Sequence, residues 1–150
     1  MIALVTKSIE VTKIFRFESA HNLPNYEGDC ANLHGHSYKL EVTVRRAFGK
    51  ALAFENEYDN DMSTLPATEY MVMDFKELSK IVKENIIKDV DHKYLNDIFE
   101  YPTAENMVYT FAEILHNKLP SNVLLVRVRL WETESSFAEY TETNEVISNV

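Results

Sequence analysis

A chain of 150 residues fits one compact domain and is long enough to bury a core. A formal net charge of −9, with no cationic run longer than Arg45-Arg46, speaks against nucleic acid or an anionic membrane as partner, though a local basic pocket can still take a small anion. One cysteine, Cys30, excludes an intramolecular disulfide framework; no apolar run is long enough for a membrane helix or a signal peptide, so the cytoplasm is the expected compartment.

Only three glycines and four prolines punctuate the chain, so regular elements are expected to fill most of it. Residues 11–19 are rich in β-branched and aromatic side chains, with Phe15 and Phe17 on one side, and read as a strand. A loop carrying Pro24, Gly28 and Gly35 follows over 20–35. Residues 36–46 then alternate: His36, Tyr38, Leu40, Val42 and Val44 face one way, polar residues the other, which predicts a long strand with one dry face. Residues 48–70 are acidic and read as an irregular excursion.

Asp74 and Glu77 form a capping-box pattern ahead of Phe75, Leu78, Ile81, Val82 and Ile86, predicting a helix over 75–88. A second helix starts after Pro102 with Thr103 as N-cap. Its apolar stripe is Val108, Phe111, Ala112, Leu115 and Leu119, and Pro120 stops it. His116 falls beside that stripe. Residues 123–132 predict a strand with Leu124, Val126, Val128 and Leu130 on one face and Glu132 at its end on the same face. A weaker strand follows over 137–143. The order is ββααββ, an α+β sandwich of two layers, with an antiparallel sheet and both helices on one face.

The densest chemical cluster is His34-Gly35-His36, with Cys30 just before it and His21 at the end of the first strand. Histidines at i and i+2 on an extended chain point to the same side. A third from a neighbouring strand end makes a His₃ set that leaves one position open on a tetrahedral metal. A closed structural site with Cys30 as fourth ligand fits the spacing too. Asp91-His92 reads either as an acid/base pair in a turn or as a favourable histidine at a helix C-terminus. Glu132 sits where an apolar residue would continue the strand face. It either reaches solvent or meets a planar two-donor partner, such as a guanidinium or an aminopyrimidinone edge. Thr103-Ala104-Glu105-Asn106 reads as a helix start.

Several segments in order carry a resemblance: Phe17-Glu18-Ser19-Ala20-His21, Cys30-x₃-His34-Gly35-His36, Met73-Asp74-Phe75, Asp91-His92-Lys93-Tyr94-Leu95-Asn96, Pro102-Thr103-Ala104-Glu105-Asn106 and Trp131-Glu132-Thr133. Together they resemble the 6-pyruvoyltetrahydropterin synthase family over almost the whole chain. The resemblance implies the family's tunnelling fold, in which sheets of several subunits join into a barrel, commonly a hexamer of two trimers with sites at subunit boundaries. It implies Zn²⁺ on His21, His34 and His36, and Cys30 as catalytic base. Asp91 and His92 would be the supporting acid/base pair, and Glu132 the pterin anchor with Thr103, Ala104 and Glu105 nearby. The three-residue gap between Cys30 and His34 resembles the bacterial carboxy-forming branch. That implies conversion of 7,8-dihydroneopterin triphosphate to 6-carboxytetrahydropterin, acetaldehyde and triphosphate, an early step toward queuosine. The pyruvoyl-forming reaction, or a non-catalytic zinc module that assembles as a ring, are the alternatives.

Overall fold

The computed structural model describes residues 8–47, 52 and 65–142. Two long strands, β1 (Glu10–His21) and β2 (His34–Arg46), form an antiparallel pair in continuous register. A helical rod follows: α1 (Phe75–Val82), a five-residue π-turn (Lys83–Ile87) and a last α-turn, α2 (Lys88–Val90). After β3 (Lys93–Tyr94) come α3 (Ala104–Lys118), β4 (Val123–Thr133) and β5 (Ser136–Thr141). The five strands make one sheet in the order β3-β1-β2-β4-β5, antiparallel except that β3 runs parallel to β1. β3 lies outside the sequence expectation: two residues are too few to show an alternation.

The strand period of two sends Phe15, Phe17 and His21 of β1 to the same side as Tyr38, Leu40, Val42 and Val44 of β2, and all are buried. Phe17 stacks on Tyr38 with ring centroids 4.7 Å apart. Each large apolar side chain taken fully from water in this layer contributes about 1.5–3 kcal/mol. The opposite face carries charge, paired across strands: Arg127 with Glu10 and Arg129 with Glu139, each at 2.8 Å.

β4 corrects the expected face. Thr43 pairs with Arg127 but Val44 pairs with Leu125, so Val126 is an extra residue in a bulge. The bulge reverses the parity upstream of it. Val123 and Leu125 are buried, whereas Leu124 and Val126, expected inward, are only half-buried. Downstream, Val128 and Leu130 keep the expected phase, and Glu132 follows them.

The first helix starts where expected, since the Asp74 side chain accepts a hydrogen bond from the Lys76 amide at 2.7 Å. It runs two residues further than the pattern predicts, to Val90. Its buried residues Leu78, Val82, Ile86 and Val90 are spaced by four. In a regular α-helix that spacing drifts about 40° per step. The wider π-turn takes up the drift and keeps all four against the core. In α3, Thr103 caps the helix by accepting from the Asn106 amide at 3.2 Å, and Met107, Val108, Phe111, Ala112 and Leu115 are buried against β4 and β5. His116 stays half-exposed and pairs with Glu142. Most of the acidic excursion lies outside the described residues; within it Leu52 is buried and Ala67–Tyr70 form a 3₁₀ turn.

Candidate functional site

His21 is the last residue of β1 and His34 the first of β2, and the register sets them opposite each other. His36 lies two residues further along β2, so its ring returns to the same side. The ligand nitrogens of the three histidines lie within 4.8 Å of one another. Two backbone carbonyls decide which nitrogens face inward. His21 Nδ1 donates to Pro102 O at 2.7 Å, and His34 Nδ1 donates to Asn32 O at 2.6 Å. A carbonyl only accepts, so both rings are held with the proton on Nδ1. In the neutral rings the Nε2 lone pairs then face each other at 3.0 Å.

Two lone pairs at that distance repel unless a cation lies between them. His36 Nε2 is buried and has no hydrogen-bond partner. Burial, opposed by Glu132 and reinforced by the other two histidines, lowers the His36 pKa below its ordinary value and favours the neutral form that ligates metals. Three imidazoles, two oriented by backbone acceptors, fit a metal ion of the zinc type with an open position. The Cys30 thiol, on the 3₁₀ turn Asp29–Ala31, does not join this set, so among the described residues the closed four-ligand arrangement is not formed. Tyr38, unremarked in the sequence except as a dry-face residue, places its hydroxyl 3.4 Å from His21 Nδ1. Burial and the neighbouring Glu132 push its phenol well above the ordinary value, so it stays protonated.

Beside the histidines, a Glu132 carboxylate oxygen lies 3.6 Å from His36 Nε2, too far for a hydrogen bond. Glu132 therefore does not end in open solvent. It lines a cavity together with Thr103, Ala104 and Glu105 from the start of α3, closed on other sides by Leu23 and Ser136. The four residues singled out in two distant stretches of sequence meet in one hollow. The segment Pro102-Thr103 links the two features, since Pro102 O orients His21 while Thr103 forms the cavity wall.

Asp91 and His92 sit in a turn beyond α2, which removes the objection that neighbours on a helix point apart. Asp91 is extended (ψ 131°) and His92 adopts a left-handed φ of 55°. Asp91 Oδ1 accepts from the Glu18 amide at 3.0 Å and lies 2.9 Å from His92 Nδ1. The Glu18 amide first, and then the His92 contacts, hold the Asp91 carboxyl below the usual range, so it is a carboxylate at neutral pH. The His92 ring is 79% exposed and faces an open groove shared with His36, Ser37, Glu18 and Lys93. Glu18 and Ser37 meet at this groove through strand pairing, which no local pattern shows.

Similarities to known proteins bear on this arrangement. The family described as 6-pyruvoyl tetrahydropterin synthase matches residues 10–143. A 6-carboxy-5,6,7,8-tetrahydropterin synthase of Haemophilus influenzae is 32% identical over 156 residues, covering 89% of this chain and 99% of that protein. A dihydroneopterin monophosphate aldolase of Pyrococcus furiosus is 34% identical, covering 77% of this chain and 82% of its own. The structure of Caenorhabditis elegans 6-pyruvoyl tetrahydropterin synthase shares the fold, with a TM-score of 0.68 at 22% identity over 94% of this chain and 100% of that one. Because the match runs from the first described strand to the last, with relatives above 30% identity along most of their length, the chain belongs to the 6-pyruvoyl tetrahydropterin synthase family and is a lyase.

Proposed function

We propose that the protein converts 7,8-dihydroneopterin triphosphate to 6-carboxy-5,6,7,8-tetrahydropterin, acetaldehyde and triphosphate, with zinc held by His21, His34 and His36. The observation that carries the reading is the convergence of three imidazoles, two of them held as one tautomer, beside a cavity ending in an unengaged carboxylate. The relatives named for the carboxy-forming reaction, and the three-residue gap between Cys30 and His34, support that product over the pyruvoyl one. The step belongs to queuosine synthesis in the cytoplasm on this reading.

When bound, zinc supplies a Lewis acid that draws charge from the hydroxyls of the substrate side chain. The chain's own residues do the rest. Glu132 accepts from the donor edge of the pterin ring, and Thr103, Ala104 and Glu105 bound the ring's position, so one side-chain carbon is presented to the base. Cys30, on the turn leading into β2, takes the proton from that carbon. His92 handles protons on the opposite face, and the anionic Asp91 holds its Nδ1 proton and leaves Nε2 free to exchange. The exposure of the His92 ring supports a site completed by a neighbouring subunit, in a homo-oligomer built as two trimers.

The test is incubation of zinc-loaded protein with 7,8-dihydroneopterin triphosphate and identification of products by mass spectrometry. Carboxytetrahydropterin with acetaldehyde is the expected result. Pyruvoyltetrahydropterin would keep the site and overturn the product. Absence of turnover would favour a non-catalytic zinc module.

A further inference from the structure

We propose that Ser19 is a positioning residue for His92. The inference rests on the reading of His92 as a proton-handling group, and it concerns what aims an almost unpacked ring. The Ser19 side chain is buried, with only 7% of the residue exposed, and a buried hydroxyl needs partners. It has two. Ser19 Oγ donates to Val90 O and accepts from the Lys93 amide at 3.3 Å. Val90 is the last residue of α2 and Lys93 the first of β3, so a single hydroxyl bridges both ends of the two-residue turn Asp91-His92.

The neighbouring residue completes the clasp through its backbone. The Glu18 amide donates to Asp91 Oδ1 at 3.0 Å, and the His92 amide donates to Glu18 O at 2.6 Å. His92 holds a φ of 55°, which a residue with a side chain keeps only where its surroundings over-determine it. With its ring 79% exposed, packing does not supply that constraint. The hydrogen bonds from Glu18 and Ser19 do. Ser19 thus ties the proton-handling turn to the same strand that ends in the metal ligand His21, and sets the distance between the two halves of the site.

Steady-state kcat and KM for 7,8-dihydroneopterin triphosphate, with zinc content, are measured on wild type, S19A, S19T, H92A and the S19A/H92A double variant. Zinc-loaded S19A is expected to keep its metal and its KM while kcat falls about 10- to 100-fold, the loss that a misplaced group produces. S19T, which keeps the hydroxyl, is expected to recover most of kcat. In the H92A background, S19A is expected to cost nothing further, because a residue that acts through His92 has nothing left to act on. Wild-type kcat in S19A alongside an impaired H92A overturns the proposal, as does an equal loss from S19A in both backgrounds. If H92A itself retains full kcat, the catalytic reading of His92 fails instead. The clasp is then read directly by amide hydrogen exchange. An increase of about tenfold or more at His92 and Lys93 in S19A upholds the clasp, and unchanged protection overturns it.

Discussion

Replacing Glu132 by glutamine tests the proposed substrate pocket with the least disturbance, since the side chain keeps its shape and loses only its charge. The Glu132 carboxylate is 28% exposed, and the neutral His36 Nε2 is too far away at 3.6 Å to hydrogen-bond. Arg129, on the same strand, is committed to Glu139 at 2.8 Å and Glu41 at 3.6 Å on the other face of the sheet. Arg129 is therefore not available to this carboxylate, which the proposed function assigns to the pterin edge. A hydrogen bond to a charged partner contributes about 1.5–3 kcal/mol, and about 1.4 kcal/mol is a factor of ten, so E132Q should raise KM about 10- to 100-fold. The same change removes the only influence raising the His36 value, which leaves that ring neutral and the ligand set intact. Steady-state kinetics paired with metal analysis reads both effects. An unchanged KM with zinc in place would refute the anchor, and loss of zinc would mean that the carboxylate serves the metal centre instead.

Cys30→Ala should retain stoichiometric zinc while kcat falls about 10²–10⁴-fold, the range for a lost general base; metal loss in that variant would identify the thiol as a ligand. In zinc-free protein, the His36 value lies below the ordinary 6.5 of the unfolded chain, so the unfolded state takes up the proton first as pH falls. Stability from this group is complete above about pH 6.5 and is lost on acidification below it, so the melting temperature of chelated protein should rise from about pH 5 to pH 7. A melting temperature that fell over that interval would refute the assignment. Asp74→Ala removes the cap that receives the Lys76 amide. It should cost about 1 kcal/mol and lower Tm by about 2–4 °C in calorimetry, with kcat unaffected because the cap lies outside the site.

The histidine cluster was legible because its pattern is local. His34 and His36 share a side by the strand period, and His21 ends the preceding strand, so one hairpin register unites them. Glu132 was legible by counting from Leu130: the bulge at Val126 lies upstream of both, and the second irregularity, between Trp131 and Thr133 against β5, leaves Glu132 beside His36. The same bulge misdirected Leu124 and Val126, since one inserted residue exchanges the two faces and leaves no mark in the hydrophobic pattern. β3 and the Ser19 clasp were invisible for a different reason: their partners are more than seventy positions away in the chain.

What the sequence alone determined was therefore everything with a short period or a local cap: three long strands, two helices with their starts at Asp74 and Thr103, and the three histidines that could hold a metal. Which nitrogen of His21 and of His34 faces inward, and whether Asp91-His92 is a helix end or a turn, were decided only by the fold. The carbonyls of Pro102 and Asn32 set the first, and the backbone of Glu18 sets the second. A tautomer and a turn are chosen by whichever hydrogen-bond partner is present. For His21 and for Asp91-His92 that partner comes from a distant part of the chain, which no local pattern encodes.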